Sequence, residues 1–271
     1  MDLRANLANA RSLAKTYGPR YAIADVGWRA ARRVTRQLED ALLELEGARG
    51  VIGPAHSRWS DHSTSENRRR WNEWDWSSRG EEWNESAEWK AALVDDVLLR
   101  VIPEGGTVVE IGPGAGRWSV FLAPRAERLI VVDVAQKALD AVADRLGDAR
   151  NVEYVLSNGT SLTGVQDGTV DAVWSFDVFV HIRPRDQEGY LAEVARVLRP
   201  GGVAAIHHSD GRNRGRVPSR EGWRAPMTVT LFAAVAREHG LEVDRHIREW
   251  GGGRHGLDPF HDAITVLRRP G

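Results

Sequence analysis

Through residues 91–271, short apolar runs alternate with amphipathic stretches. Residues 129–132 and 203–206 are continuously apolar and end in Asp or His, a length and boundary typical of buried strands. Residues 190–198 place apolar side chains on one helical face, and Pro200 and Gly201 stop that helix. Strands that alternate with helices in this way predict a parallel sheet sandwiched between helices.

The end of the chain departs from this alternation. A helix near residues 229–238 precedes two strand-like segments, 241–250 and 260–267, joined by a Gly-rich link. Two consecutive strands without a crossover helix must pair antiparallel. We therefore predict a mostly parallel sheet with an antiparallel hairpin at its end.

The first third of the chain carries a different pattern. Residues 30–45 show one apolar stripe opposite a row of arginines, which predicts an amphipathic helix. Ser78 to Glu81 has the pattern of a capping box and predicts the start of a second helix, with Trp83 in its apolar stripe. We predict a helical N-terminal cap over residues 1–90 and an α/β domain over residues 91–271.

A glycine-rich turn follows the first predicted strand. The apolar run ends in Glu110 and then breaks into Gly112, Gly114 and Gly116. Glycines at a strand-to-helix turn leave a bare backbone against which a ligand can lie, beside N–H groups that favour negative charge. The next strand ends in Asp133, where a carboxylate is placed to accept both hydroxyls of a ribose. The pair predicts a site for a nucleoside-containing cofactor.

The glycine spacing indicates which cofactor. The dinucleotide fingerprint requires a third glycine at position 117, which is Arg117 here. The pattern E-x-G-x-G-x-G resembles motif I of the class I S-adenosylmethionine-dependent methyltransferases, and residues 152–160, 171–176 and 190–202 resemble later motifs in the expected order. The resemblance implies a Rossmann-like, seven-stranded sheet with helices on both faces, an antiparallel terminal hairpin and N-terminal helices over the substrate site.

The same resemblance implies S-adenosylmethionine as the cofactor. Asn158 stands where the family more often has Asp, and its carbonyl can accept the same bond from an adenine amino group. The cofactor-binding residues that the resemblance implies are Glu110, Gly112, Gly114, Gly116, Asp133, Val134, Asn158, Gly159, Thr160, Ser175 and Phe176.

Candidate catalytic residues follow strands four and five, because ligands of open α/β sheets bind beyond the carboxyl ends of the strands. His207 and His208 end strand five, and Asp210 could orient one of them or contact substrate. Only one of two adjacent strand side chains can face the site, so one histidine is a candidate base and the other is structural. His181 and Asp177 follow strand four as a second candidate base and a substrate contact, although His181 could equally bond a neighbouring backbone group.

Tryptophan is concentrated in the predicted cap. Six of the chain's eleven tryptophans lie between positions 59 and 89, interleaved with acids. Trp71, Trp74 and Trp76 fit no helical face, and indoles beside carboxylates suit a cation or a planar aromatic ring. The alternative is that they anchor the cap by burial. Tyr21 and His56 belong to the same cap and are further candidate substrate contacts.

Composition narrows the function classes. A net charge of −1 argues against a broad nucleic-acid footprint, and the absence of cysteine excludes disulfides and thiol catalysis. Two basic patches, 68–70 and 212–224, are solvated loops or, for the second, a contact for an anionic substrate. The histidine spacing predicts no metal site, and no apolar run suits a signal peptide or membrane span. We expect a cytoplasmic monomer or homodimer.

The sequence therefore predicts a methyltransferase that modifies a small molecule, such as a natural product, at nitrogen or oxygen or at an electron-rich aromatic carbon such as that of an indole. Two alternatives stay open. One is an aminopropyltransferase on the same fold, for which the acids Glu73, Asp75, Glu81 and Glu82 could line a polyamine channel. The other is a non-catalytic module that only binds the cofactor.

Overall fold

The computed structural model describes residues 63–210, 224–225, 227–257 and 262–271, all within one unit of residues 59–271. The predicted helix at 30–45, Tyr21, His56 and most of the basic patch at 212–224 lie outside the described residues. The strands of the described part are β1 (Thr107–Ile111), β2 (Arg128–Asp133), β3 (Val152–Leu156), β4 (Val170–Ser175), β5 (Leu198–Ser209), β6 (Glu242–Ile247), β7 (Glu249–Trp250), β8 (His255–Gly256) and β9 (Asp262–Arg268).

Seven of these strands form one sheet in the order β3-β2-β1-β4-β5-β9-β6. The pairs from β3 to β5 are parallel, whereas β9 is antiparallel to both of its neighbours. The predicted seven-stranded, mostly parallel sheet is confirmed. The short ribbon of β7 and β8 stands apart from it.

Helices cover both faces of the sheet, as predicted. Their bounds are α1 (Thr64–Glu73), α2 (Ala87–Leu93), α3 (Leu99–Val101), α4 (Ser119–Leu122), α5 (Gln136–Leu146), α6 (Pro184–Val197) and α7 (Val229–Glu238). A π-helical turn, Val94–Leu98, joins α2 to α3, and single 3-10 turns occur at Glu81–Trp83 and Phe179–His181. No helix in the described part of the chain is long and apolar enough to cross a membrane.

The core lies in two layers, one on each face of the sheet. Successive side chains of a strand point to opposite faces, so Val108 joins a cluster with Leu98 and Trp118, whereas Val109 joins one with α6 and α7. Both valines are fully buried. Burial on both faces explains why the central strands are continuously apolar rather than alternating.

The helix predicted to start at Ser78 starts later. Ser86 is the N-cap of α2, and its hydroxyl accepts a hydrogen bond from the amide of Trp89 at 3.1 Å. Arg79 and Gly80 both have positive φ, 59° and 76°, which a right-handed helix excludes. The placement of Trp83 in the apolar stripe of that helix is also wrong, because Trp83 lies before α2 and is 37% exposed, whereas Trp89 is buried.

Candidate cofactor and acceptor site

The glycine-rich turn after β1 approaches its neighbours too closely for side chains. Gly112 and Gly114 have φ of 69° and 54°, in the left-handed region that favours glycine. A Cβ at Gly112 would overlap the side chain of Val178, and one at Gly114 would lie 2.9 Å from the ring of Trp76. The bare backbone is therefore a requirement of the packing against Val178 and Trp76.

A cleft opens over this turn. It collects residues from the ends of β1, β2 and β4 and from the segment between α1 and α2. Its lining is Trp71, Trp76, Gly80, Trp83, Gly112, Pro113, Gly114, Ala115, Arg117, Trp118, Asp133, Phe176, Asp177, Val178 and His181. The carboxyl ends of parallel strands meet at one edge of the sheet, which is where open α/β folds bind ligands.

Asp133 ends β2 and presents a carboxylate to the cleft. Its Oδ1 accepts a hydrogen bond from the amide of Ala135 at 2.9 Å, which fixes the side chain. Burial raises the pKa of Asp133 to about 6, against the opposing effect of backbone hydrogen bonds from Ala135 and Gly114. At neutral pH the group is ionised and can accept hydrogen bonds from hydroxyl groups.

Glu110 lies beneath the turn and does not line the cleft. Its Oε2 accepts a hydrogen bond from the Ser119 hydroxyl at 2.5 Å, while its Oε1 has no hydrogen-bond partner among the described residues. Burial raises the pKa of Glu110 to about 7. A buried carboxylate oxygen without a partner is costly, so the site favours a donor that reaches it.

The other residues implied to bind cofactor lie in several environments. Val134 and Gly159 line a smaller cavity beside α1, and Phe176 lines the main cleft. Ser175 is buried and donates a hydrogen bond to the carbonyl of Ile111 at 3.0 Å. The carbonyl of Asn158 accepts bonds from the amides of its own turn, including that of Thr160 at 3.0 Å, and Gly116 packs against α5.

A charged array crosses the sheet edge at the mouth of the cleft. Arg117 donates to Oδ2 of Asp177 at 2.5 Å, and Oδ1 of Asp177 lies 3.1 Å from Nδ1 of His207. On the far side of the imidazole, Nε2 lies 3.5 Å from Oδ2 of Asp262, which also accepts a bond from Arg224 at 2.8 Å. The array thus alternates positive and negative groups around one buried histidine.

The array sets the protonation of its members. Burial would raise the pKa of Asp177, but the Arg117 guanidinium and His207 hold it well below its usual range. Burial would lower the pKa of His207, yet hydrogen bonding to Asp177 and Asp262 raises it overall. Asp177 is therefore an ionised carboxylate in the cleft, and His207 is a histidine that titrates above its ordinary value.

His207 and His208 lie on opposite faces of β5, as alternation requires. The ring of His207 stacks on Phe176 at 4.4 Å, on the cleft side. The ring of His208 stacks on Phe232 at 3.8 Å, and its nitrogens lie 2.8 Å from the Ser209 carbonyl and 2.7 Å from the Thr265 hydroxyl. Burial lowers the pKa of His208 to about 3, so His208 is neutral and packs in the core.

The remaining candidates occupy two different places. His181 lines the cleft and its ring packs against Trp71 at 5.5 Å. Asp210 is fully buried, where it accepts a bond from the amide of Val229 at the start of α7 and another from Arg248 at 2.6 Å. The suggestion that Asp210 orients a histidine base is therefore replaced: Asp177 and Asp262 flank His207, and Asp210 anchors α7.

Four tryptophans form a cluster over the glycine-rich turn. Ring centroids of Trp71, Trp74, Trp76 and Trp83 lie 5.5 to 5.9 Å from their neighbours. Two side chains of α5 tie the segment down, since Lys137 donates to the Trp74 carbonyl at 2.7 Å and Arg145 to Glu81 at 2.7 Å. Trp71, Trp76 and Trp83 line the cleft. Trp74 does not line it and packs against the rings of Trp71 and Trp83.

The four acids of this region face elsewhere. Glu73 pairs with Arg69, Asp75 accepts from the Ser77 amide, Glu81 binds Lys90 and Arg145, and Glu82 accepts from Trp74. The described lining of the cleft contains none of them. In the described part of the chain, no group of three or more His, Asp or Glu side chains could hold a metal ion.

The sequence pattern does not predict a role for two residues of the site. Arg117 stands in the place of a third glycine, and a cation directly after such a turn is the visible signal for it. Asp262 starts β9, and its place beside His207 follows from the antiparallel pairing of β5 with β9, in which Ser209 lies opposite Asp262. That register cannot be read from the sequence.

Comparison with known proteins identifies the domain. Residues 109–206 match the family model described as a methyltransferase domain. The chain carries a class I S-adenosylmethionine-dependent methyltransferase domain. The match starts in β1 and ends in β5, so it covers the glycine-rich turn, Asp133 and Asp177.

Relatives of this methyltransferase domain agree with that identification. Phosphoethanolamine N-methyltransferase 1 of Triticum aestivum is 28% identical over 116 residues, which are 41% of this chain and 23% of that protein. Dimethylglycine N-methyltransferase of Parasynechococcus marenigrum is 34% identical over 114 residues, which are 41% of this chain and 39% of that protein. The chain thus matches well under half the length of these curated relatives.

A solved structure shows the same fold. Geranyl diphosphate C-methyltransferase from Streptomyces coelicolor, in complex with Mg²⁺, geranyl-S-thiolodiphosphate and S-adenosyl-L-homocysteine, superposes with a TM-score of 0.59 at 14% identity. The superposition covers 80% of this chain and 100% of that one.

The residues of the methyltransferase cleft fit S-adenosylmethionine. Asp133 offers an ionised carboxylate for ribose hydroxyls, and the glycines at 112 and 114 leave the backbone of the turn bare. The ribose and the flat adenine ring of the cofactor match this carboxylate and this bare backbone.

Proposed function

We propose that this protein transfers a methyl group from S-adenosylmethionine to the amino group of a small molecule. The observation that carries the proposal is the shared cleft, which is lined by the glycine-rich turn, four indole rings and the ionised carboxylate of Asp177. When bound, S-adenosylmethionine supplies a methyl group carried on a positively charged sulfur. Methyl transfer is an in-line displacement, so the protein contributes chiefly by positioning the acceptor.

The cleft combines aromatic walls with the carboxylate of Asp177 and the guanidinium of Arg117, which lies over the rings of Trp83 and Trp118. Indole faces attract cations by their quadrupole, and a carboxylate accepts the N–H groups. Arg117 keeps Asp177 ionised, and the pKa of Asp177 lies far too low for the group to serve as a strong base. Asp177 therefore orients the acceptor nitrogen, and an amine that reaches the site in its neutral form needs no base to react.

One further observation supports an amine over an alcohol. Two of the relatives described above are N-methyltransferases by name, acting on phosphoethanolamine and dimethylglycine. The acids expected of an aminopropyltransferase channel lie outside the cleft lining, which favours methyl transfer.

The test is methyl transfer from labelled cofactor to a panel of small amines, phenols, indoles and sugars. We expect label in amines, and we expect Asp177→Asn to raise the KM for the amine at least tenfold, because a charge-assisted hydrogen bond is lost. Asp75→Asn is the matched control, since Asp75 is an exposed acid between α1 and α2 that does not line the cleft. Labelled phenols or indoles without labelled amines would contradict the proposal.

A further inference from the structure

His207 contacts two different groups of the same residue. The backbone amide of Asp177 donates to Nδ1 of His207 at 3.1 Å, and Oδ1 of the Asp177 carboxylate lies 3.1 Å from that same nitrogen. An imidazole nitrogen can accept the first bond only when it carries no proton, and it can donate the second only when it carries one. The two contacts therefore need different protonation of Nδ1. Asp262, an ionised acceptor 3.5 Å from Nε2, keeps the single proton of neutral His207 on Nε2, so the two contacts correspond to the neutral and the charged imidazole.

Asp177 is held in a conformation that needs such support. Its φ is 61°, and Arg79 is the other non-glycine residue with positive φ in the described part of the chain. Aspartate tolerates this left-handed conformation better than most residues, yet it still requires compensating bonds. Arg117 fixes one carboxylate oxygen, and His207 is in reach of both the other oxygen and the amide.

The charges around His207 balance only in its neutral state. Arg117 follows β1, Asp177 follows β4, Asp262 starts β9 and Arg224 pairs with Asp262. His208, the neighbour on β5, is neutral across the physiological range. Two carboxylates then face two guanidiniums, and protonation of His207 adds one unbalanced positive charge next to the acceptor cleft.

We propose that His207 is a positioning residue that controls how Asp177 meets the acceptor. Neutral His207 binds the Asp177 amide and leaves Oδ1 available to the acceptor nitrogen. Protonated His207 engages Oδ1 itself and repels a cationic acceptor. This proposal rests on the proposed function for its consequence in catalysis, while the coupling between the two residues stands independently of it.

The kinetic test compares pH profiles of the KM for an amine acceptor. We expect the wild-type KM to fall on the order of tenfold as the pH rises through the pKa of His207, the effect of regaining one bond to a carboxylate. His207→Asn places a carbonyl oxygen near the position of Nδ1, and the amide side chain does not titrate. The KM of this variant should therefore be low at every pH, without the step seen in the wild type. His207→Ala should keep a high KM at every pH, because nothing accepts the Asp177 amide. A purely structural role for His207 would make the two variants alike.

Two controls assign the step to this array. Asp262→Asn removes one of the carboxylates that hold the proton, so it should move the KM step to lower pH. His239→Asn, at the end of α7, should leave the step in place.

A spectroscopic readout separates this proposal from the proposed function. The backbone amide signal of Asp177, identified in protein labelled only at aspartate nitrogen by its loss in Asp177→Asn, should move with pH in the wild type and stay constant in His207→Asn. If no amine is methylated by any form, the proposed function fails and the amide signal alone decides the role of His207. An Asp177 amide signal that ignores pH, or a KM profile of His207→Asn that matches the wild type, overturns the inference.

Discussion

Replacing Asp133 by Asn should raise the free energy of unfolding of the cofactor-free protein and lower its affinity for the cofactor. Burial raises the pKa of Asp133 from 3.8 to about 6, which means that the folded protein disfavours the ionised carboxylate. At about 1.36 kcal/mol per pH unit, this difference corresponds to roughly 3 kcal/mol. Asn can still accept the Ala135 amide bond and carries no charge to desolvate.

The sign of the pH dependence follows from the raised pKa. Between about pH 4 and pH 6 the folded state holds a proton that the unfolded state has lost, so Asp133 makes stability fall as the pH rises through this window. Above about pH 6 the full penalty applies. We expect Asp133→Asn to be 1–3 kcal/mol more stable at pH 7.5, the lower end allowing for the burial of the amide, and little changed near pH 4.

Cofactor affinity should move the other way. A hydrogen bond to a charged carboxylate contributes about 1.5–3 kcal/mol, against about 0.5–1.5 kcal/mol for a bond to a neutral amide, so the weakening of two ribose bonds in Asp133→Asn should reduce S-adenosylhomocysteine affinity by roughly 10- to 100-fold. Calorimetric titration measures the affinity, and urea unfolding at the two pH values measures the stability. Asp140→Asn, an exposed acid on α5, is the control.

The reasoning would be refuted by either of two results. If Asp133→Asn is less stable than the wild type at pH 7.5, burial does not penalise this carboxylate. If the variant binds S-adenosylhomocysteine within twofold of the wild type, Asp133 does not hold the ribose.

Two more substitutions test separate parts of the structure. His208→Ala should lose about 3–5 kcal/mol of stability in urea unfolding, because it removes a buried ring and two hydrogen bonds, while kcat for the amine acceptor stays within twofold of the wild type; a large loss of kcat in the folded variant would contradict a core role. Gly114→Ala should weaken S-adenosylhomocysteine binding by at least tenfold in the same calorimetric titration, because the left-handed conformation costs about 1–2 kcal/mol for alanine and the new Cβ meets Trp76; unchanged affinity would place the cofactor away from this turn.

The sequence determined the class of fold because local patterns are sufficient for it. Continuous apolar runs followed by turns specify buried parallel strands, and two strands without a helix between them specify the antiparallel end of the sheet. The glycine spacing and Asp133 indicated the cofactor for the same reason: each acts within a few residues of its own strand end.

The local prediction failed where backbone conformation overrode a motif. Ser78 to Glu81 satisfies the letters of a capping box, yet the positive φ of Arg79 and Gly80 ends any helix there. The turn they form brings Trp76 and Trp83 back over the glycine-rich loop, so residues that looked like part of a helix instead line the cleft.

Only the tertiary structure decided what the histidines do. The sequence shows His207 and His208 as equivalent neighbours with Asp210 close by, and strand alternation says only that they face opposite ways. The antiparallel pairing of β5 with β9 places Asp262 beside His207. The left-handed turn after β4 places Asp177 on the other side of the imidazole. Asp210 instead contacts the start of α7 and Arg248. The protonation of a buried group depends on charges that are distant in sequence and near in space, and the sequence alone does not specify those distances.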